Sequence, residues 1–112
     1  MDRQNIATQT TIAAETAPAG ALLRGLDKVS GDTVDLALAP GETGRVGRIE
    51  VTLQECRYPA DNPASDAFAL LRIVSSRDGA VLFEGWMLAS SPALNPLDDS
   101  RYDVWVLRCN KS

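Results

Sequence analysis

The chain has 112 residues and a formal net charge of −4 at pH 7, and 45% of its residues are hydrophobic. This length allows one small domain, the apolar fraction excludes wholesale disorder, and the acidic balance argues against a nucleic-acid partner. The chain has no histidine and two cysteines, which rules out Ser-His-Asp and Cys-His catalytic sets and a thiolate metal site. We therefore expect a non-enzymatic protein with no catalytic residue, no cofactor and no metal. No apolar run is long enough to span a bilayer.

Residues 1–20 form a segment rich in threonine and alanine. Its large apolar side chains, Ile6 and Ile12, fit neither the period of a helix nor that of a strand. A disordered tail or linker is one interpretation. The other, which we adopt, is an extended arm that lies along a partner protein, with Ile6 and Ile12 as its partner-binding anchors. Residues 21–112 then form the β-domain, and deleting residues 1–18 is predicted to leave that domain folded.

The first part of the β-domain contains three predicted strands. Ala21–Val29 could form a strand or a helix, but Gly25 and the Ser-Gly-Asp turn that follows favour a strand. Thr33–Ala39 alternates strictly, with Val34, Leu36 and Leu38 on one face. Arg48–Cys56 begins with Ile49, Val51 and Leu53 facing inward. That alternation would place Glu55 in the core and Cys56 outside it, so we predict a β-bulge near Gln54 and Glu55.

The second part of the domain continues with strands. Ala67–Val74 is apolar on both faces, which is typical of a strand in the middle of a sheet covered on both sides, or of a strand that switches sheets. Ala80–Ala89 and Arg101–Cys109 are two further strands, separated by a Ser-Pro turn that favours one short helical turn. The pattern predicts an all-β fold, a small β-sandwich or barrel of six to seven short antiparallel strands.

Cys56 and Cys109 each lie at the end of a predicted strand. Two cysteines in these positions suggest one disulfide across the β-fold, and the alternative is a pair of buried free thiols. A stable disulfide would place the protein in an oxidising compartment.

Trp86 and Trp105 lie in the two strands on either side of the Ser-Pro turn. They could form an aromatic platform for a ligand, but large aromatic residues in strands that are apolar on both faces are usually buried, so we predict core or near-core positions. Pairs of acidic residues could bind calcium or act as acid and base, although solvated turn residues are the favoured interpretation. These pairs are Asp32 with Asp35, Asp61 with Asp66, and Asp98 with Asp99.

Five stretches carry a resemblance to a known family, and they extend from about residue 22 to the end of the chain. They are Leu23–Gly31, Glu55–Pro63, Gly85–Met87, Ala89–Asn95 and Tyr102–Cys109. On these residues the chain resembles the bacterial domain-of-unknown-function family 2155, small proteins of the cell envelope. The resemblance implies a periplasmic, cysteine-paired β-domain with no assigned catalytic residue. Genes of this family lie beside one for a small subunit of respiratory complex I, which suggests that complex as a candidate partner.

From these observations we expect an interaction module, an accessory subunit or assembly factor docked on a larger membrane-associated complex from the periplasmic side. The alternative is a stand-alone periplasmic binding domain for a glycan, a peptide or a lipid. Family members usually begin with a signal peptide. This chain begins with Met1-Asp2-Arg3 and shows none, so we expect it to have been removed.

Overall fold

A computed structural model describes residues 14–110 of the chain, and these residues form two antiparallel sheets packed face to face. The strands are β1 (Ala14–Thr16), β2 (Ala21–Asp27), β3 (Thr33–Leu38), β4 (Thr43–Val46), β5 (Ile49–Pro59), β6 (Phe68–Ser75), β7 (Val81–Leu88) and β8 (Tyr102–Cys109). A short 3-10 helix, Pro92–Leu94, lies between β7 and β8. The predicted all-β fold is confirmed. Within the described range, no helix is long and apolar enough to cross a membrane.

The two sheets differ in size. The five-stranded sheet has the order β1-β5-β6-β7, and β4 also pairs with β5. The three-stranded sheet has the order β3-β2-β8. The described residues form eight strands where the sequence predicted six or seven, because the short strands β1 and β4 pair with different parts of one edge of β5. Neither is long enough to show a period in the sequence.

The core lies between the two sheets, where every second side chain of the long strands points inward. In β5 the inward residues Ile49, Val51 and Leu53 are buried as predicted. The largest fully buried side chains come from β2, β5, β6 and β8; they are Leu23, Leu53, Leu71, Ile73, Val51, Val104, Val106 and Cys56. No polar or charged residue in the described range is buried. Apolar burial between the sheets is therefore the main stabilising contribution.

The alternation predicted for β3 is only partly realised. Leu38 is buried and Leu36 packs against the core, but Val34 is 41% exposed. β3 is an edge strand, and the neighbouring strand β4 covers one end of it: a Cβ added at Gly44 would lie 3.0 Å from Leu36 Cδ1. Gly44 therefore packs closely against Leu36, and Val34 lies beyond the covered end.

The predicted β-bulge is confirmed in β5. Leu53 pairs with Leu71 and Glu55 pairs with Leu70, so Gln54 is an extra residue without a partner on β6. After this insertion the alternation reverses, and Cys56 becomes fully buried while Glu55 lies on the outer face. One additional residue thus keeps a carboxylate out of the core and brings a cysteine into it.

Cys56 and Cys109 form the predicted disulfide, so the interpretation as free thiols is wrong. Their Cα atoms are 5.8 Å apart and they are separated by 53 positions in sequence. Cys56 belongs to the five-stranded sheet and Cys109 to the three-stranded sheet. The bond therefore joins the two halves of the sandwich covalently.

Replacing both cysteines by alanine is expected to lower the free energy of unfolding by about 4 kcal/mol, because the unfolded chain then regains the freedom of a long closed loop. Urea denaturation monitored by tryptophan fluorescence measures this difference. A reducing agent should bring the parent protein to the stability of the variant and leave the variant unchanged. Equal stability of parent and variant without reductant would contradict the expectation.

The predicted arm, residues 1–20, requires a correction at its boundary. Ile6 and Ile12 lie outside the described residues, but β1 pairs with β5 in register from Ala14 opposite Pro59 to Thr16 opposite Arg57. Ala17 is buried, and its backbone N–H donates to the Cys56 carbonyl oxygen at 2.7 Å. This last part of the predicted arm belongs to the sandwich because it covers the edge of β5 beside the disulfide.

Two truncations test this boundary. Removing residues 1–18 takes away β1 and Ala17, and we expect a loss of about 1–3 kcal/mol of unfolding free energy from lost hydrogen bonds and burial. This replaces the expectation that the 1–18 deletion leaves the domain unperturbed. Removing residues 1–13 leaves β1 and Ala17 in place and serves as the matched control. Thermal denaturation compares the two, and equal melting temperatures would show that β1 contributes nothing.

Candidate partner-binding surfaces

Four large apolar side chains lie together on the outer face of the five-stranded sheet. In the register of β6 with β7, Leu70 pairs with Trp86 and Phe68 pairs with Leu88. All four are partly exposed, whereas the residues between them face the core. Directly opposite residues of an antiparallel pair have their Cβ atoms about 5 Å apart, so the four side chains form one contiguous surface. We call Phe68, Leu70, Trp86 and Leu88 the outer apolar patch.

The structure corrects the predicted core positions of the two tryptophans. Trp86 alternates with Met87, which is 3% exposed, and Trp105 lies between Val104 and Val106, each 2% exposed. Both indoles are therefore on outer faces and partly exposed. The sequence could not distinguish the two faces because both alternating sets of residues are apolar. The smaller aliphatic side chains and methionine occupy the space between the sheets.

Ion pairs lie beside the outer apolar patch. On β5, Arg57 Nε is 2.8 Å from Glu55 Oε2, which also accepts a hydrogen bond from Thr16 Oγ1 at 2.9 Å. These two hydrogen bonds, from Arg57 first and then Thr16, lower the pKa of Glu55. One step further along β6 and β7, Arg72 Nε is 3.6 Å from Glu84 Oε2. An apolar centre beside a charged border is the arrangement of many protein–protein interfaces.

A loop segment supports one end of this surface. The Asp66 carboxylate accepts hydrogen bonds from the Ala67 N–H at 2.8 Å and from the Ser90 N–H and hydroxyl at 3.0 and 2.7 Å. Asn95 Nδ2 donates to the Trp86 carbonyl oxygen at 2.9 Å. These contacts attach the loops on either side of β6 and β7 to the strands that carry the outer apolar patch, so its backbone is held in one arrangement.

A second apolar feature lies at the free side of β8. A groove of about 400 Å³ separates this strand from the loop that contains the 3-10 helix. It is lined by Pro92, Ala93, Pro96, Asp103, Val104 and Trp105. We call this feature the β8 groove. Leu97, which follows Pro96, is buried and attaches the loop to the core.

Acidic residues of the three pairs, which could have formed calcium or acid–base sites, instead form ion pairs or hydrogen bonds in turns and loops. Asp35 pairs with Arg24 at 2.7 Å, and Asp66 joins two loops as described above. Asp99 Oδ2 accepts the N–H groups of Arg101 and Tyr102, each at 2.9 Å. Across residues 14–110, no group of three or more metal-ligating side chains is present.

The carboxylate of Asp27, at the end of β2, has a strongly lowered pKa. Arg101 donates to both oxygens of Asp27, with Nη2 3.0 Å from Oδ2 and Nε 3.3 Å from each oxygen. This hydrogen bonding, with a smaller contribution from the backbone N–H groups of Val29 and Ser30, lowers the pKa of Asp27 to about 2. The pair connects the end of β2 to the loop before β8.

The Asp27 pair predicts acid sensitivity. Because its folded pKa lies below the unfolded value of about 4, its contribution to stability is complete above about pH 4 and is lost as pH falls towards about 2. Asp27→Asn is expected to flatten the decline in melting temperature between pH 4 and pH 2. Asp98→Asn, at an exposed loop position, is the control for loss of one negative charge. Parallel declines in parent and Asp27→Asn would contradict the assignment.

The fold and surfaces define a class of small β-sandwich proteins with one inter-sheet disulfide. Residues 21–109 match the bacterial family DUF2155, described as an uncharacterized protein conserved in bacteria, and the chain belongs to this family. It is also similar to the uncharacterized protein RP359 of Rickettsia prowazekii (strain Madrid E), with 28% identity over 87 residues. The match covers 75% of this chain and 56% of that relative, so the chain spans about half of the relative's length. No solved structure matches the chain.

Proposed function

We propose that this protein is a non-enzymatic interaction module, an accessory subunit or assembly factor that docks on a larger bacterial envelope complex from the periplasmic side. The observation that carries the proposal is the outer apolar patch, where Trp86, Phe68, Leu70 and Leu88 are partly exposed on the outer face of the five-stranded sheet. Tryptophan is among the residues that contribute most to binding energy in protein–protein interfaces.

The composition of this surface supports docking of a protein rather than catalysis. The neighbouring charges, Arg57 with Glu55 and Arg72 with Glu84, already neutralise one another. Within residues 14–110 these charged neighbours of the patch are paired with one another, and the sequence has no histidine. Paired charges of this kind give a border that excludes water and sets orientation while contributing little affinity themselves.

The disulfide supports the proposed compartment. Cys56 and Cys109 join the two sheets, and such bonds persist in oxidising compartments, which in bacteria include the periplasm. Respiratory complex I is our candidate for the larger assembly, on the basis of the family's gene neighbourhood. The β8 groove, with the Trp105 ring in its wall, favours a second candidate function, a stand-alone periplasmic binding domain for a glycan, a peptide or a lipid.

Association with a native complex tests the proposal. The tagged protein is expressed in its native host, membranes are crosslinked, and co-purified proteins are identified by mass spectrometry. We expect a fixed stoichiometry with one larger complex. Trp86→Ala should weaken the association at least about tenfold, because removal of an interface tryptophan commonly costs about 2 kcal/mol or more. Val34→Ala, at an exposed apolar position of the other sheet, should leave association unchanged.

Folding of each variant is measured in parallel. Trp86→Ala removes a partly exposed side chain and should destabilise less than Leu71→Ala, a core substitution expected to cost about 2–5 kcal/mol. Full association of a folded Trp86→Ala protein would show that the outer apolar patch is not the docking surface. A monomer that recovers no protein partner but carries a glycan, peptide or lipid would favour the binding-domain alternative.

A further inference from the structure

We propose that the β8 groove binds an extended peptide segment of a partner protein, which adds to the three-stranded sheet as a further strand and places a basic side chain against Asp103. This inference rests on the proposed function as an interaction module and specifies the chemistry of one partner segment. It concerns a different surface from the outer apolar patch, because β8 and the patch belong to different sheets.

The first step is the hydrogen-bonding edge of β8. One side of this strand pairs with β2, and among residues 14–110 no strand pairs with the other side. The N–H groups of Tyr102 and Val104 do not reach β2 and instead donate to the carboxylates of Asp99 and Asp103, each at 2.9 Å. They therefore point to the free side, and in an antiparallel strand the carbonyl groups of the same residues point there too.

Parts of the edges of β5 and β7 in the other sheet are covered by the protein's own chain. On β7, the Trp86 carbonyl oxygen accepts from Asn95 Nδ2 and the Leu88 carbonyl oxygen accepts from the Ser91 N–H at 3.3 Å. On β5, β1 and β4 cover the two ends, and the Gly41 N–H donates to the Leu53 carbonyl oxygen between them at 2.7 Å. β8 is thus a long edge whose outward donors are held only by side chains of its own segment.

The second step is the wall of the groove. The loop beside β8 carries Pro92 and Pro96, and a proline has no N–H to donate. These two residues cannot donate a hydrogen bond to a carbonyl group of β8, and within the described part of the chain no strand pairing joins this loop to β8. The space between the loop and β8, about 400 Å³, has the size of a small-ligand pocket and is lined on one side by Trp105. An apolar side chain of an added strand would pack on this ring and on the prolines.

The third step is charge. Asp103 lies at the rim of the groove, and Asp98 is exposed in the loop that leads to β8. The basic residue nearest to Trp105 in the sheet register, Arg24, is already paired with Asp35 at 2.7 Å. Among the residues that line the groove, Asp103 is the one with a charged side chain, and its charge is negative. This favours a lysine or arginine in the bound segment.

The Asp103 carboxylate also explains how the edge is kept available. Its Oδ1 atom accepts the Val104 N–H at 2.9 Å, in the position that a carbonyl oxygen of an added strand would take. When a peptide carbonyl replaces it, the carboxylate is released to pair with the basic side chain of the peptide. Main-chain bonds then give affinity, and Asp103 and Trp105 give selectivity, as in other cases of strand addition.

The probe is a short, end-blocked peptide of alternating valine and lysine, titrated into the isotope-labelled full chain and followed by NMR. We expect saturable shifts of the Val104 N–H and the Trp105 indole N–H. The same peptide with glutamate in place of lysine should bind at least about tenfold more weakly. A lysine peptide with alternate backbone nitrogens methylated keeps its side chains but loses donors, and it should also bind about tenfold more weakly.

Two variants complete the test. Asp103→Asn keeps the shape of an outward-facing side chain and should weaken binding of the lysine peptide about fivefold, with a smaller salt dependence. Trp86→Ala should leave peptide binding unchanged while it weakens association with the larger complex. Peptide binding and complex association can therefore fail separately, and a failure of this inference is distinguishable from a failure of the proposed function.

Several outcomes would overturn the inference. They are equal binding of the methylated peptide, equal binding of the glutamate peptide, shifts centred on Trp86, and no saturable binding at about millimolar peptide. A concentration-dependent dimer whose formation shifts the Val104 N–H without peptide would also overturn it, because the edge would then be occupied by a second copy of the chain. Weaker binding of the glutamate peptide and of the methylated peptide than of the lysine peptide would support the inference, together with weaker binding of the lysine peptide by Asp103→Asn.

Discussion

The reversal of alternation in β5 at Gln54 is the constraint on which most of the structure depends. Before the bulge, Leu53 faces the core, and after it Cys56 does, although the two are an odd number of positions apart. Without the extra residue, Glu55 would be buried without a partner and Cys56 would point away from Cys109, so the two sheets could not be joined. The same insertion turns Glu55 and Arg57 outward, beside the outer apolar patch.

The sandwich has one core, and its size explains where the aromatic residues lie. The space between the sheets is filled mainly by leucine, isoleucine, valine and alanine, together with Cys56, Met87 and Tyr102. Both indoles lie on outer faces and are partly exposed, so neither stabilises the fold by full burial. Their exposed parts remain available for contact with other molecules. Covalent linkage through the disulfide compensates for a small core, as in many small exported domains.

The sequence allowed the all-β class to be predicted from a series of short strands separated by turns. The bulge was predicted from the failure of alternation after Leu53, and the disulfide from two cysteines at the ends of predicted strands. The placement of Trp86 could not be predicted, because Trp86 and Met87 are both apolar and alternation alone assigns no face. β1 has three residues and was included in the predicted arm; its pairing is set by the exposed edge of β5, which is a property of the folded sheet. The β8 groove likewise depends on how the loop with Pro92 and Pro96 lies against β8, and neither proline indicates this by itself.

The order of strands in the smaller sheet has a consequence for the order in which the domain folds. β2 lies in the centre of that sheet, between β3, which follows it directly, and β8, the last strand described. Its hairpin with β3 can form early, but its second neighbour is the last of the described strands to be synthesised. Until then one side of β2 and the partner of Cys56 are missing. Closure of the core and oxidation of the cysteines should therefore be late and coupled events, as expected for a fold dominated by distant contacts.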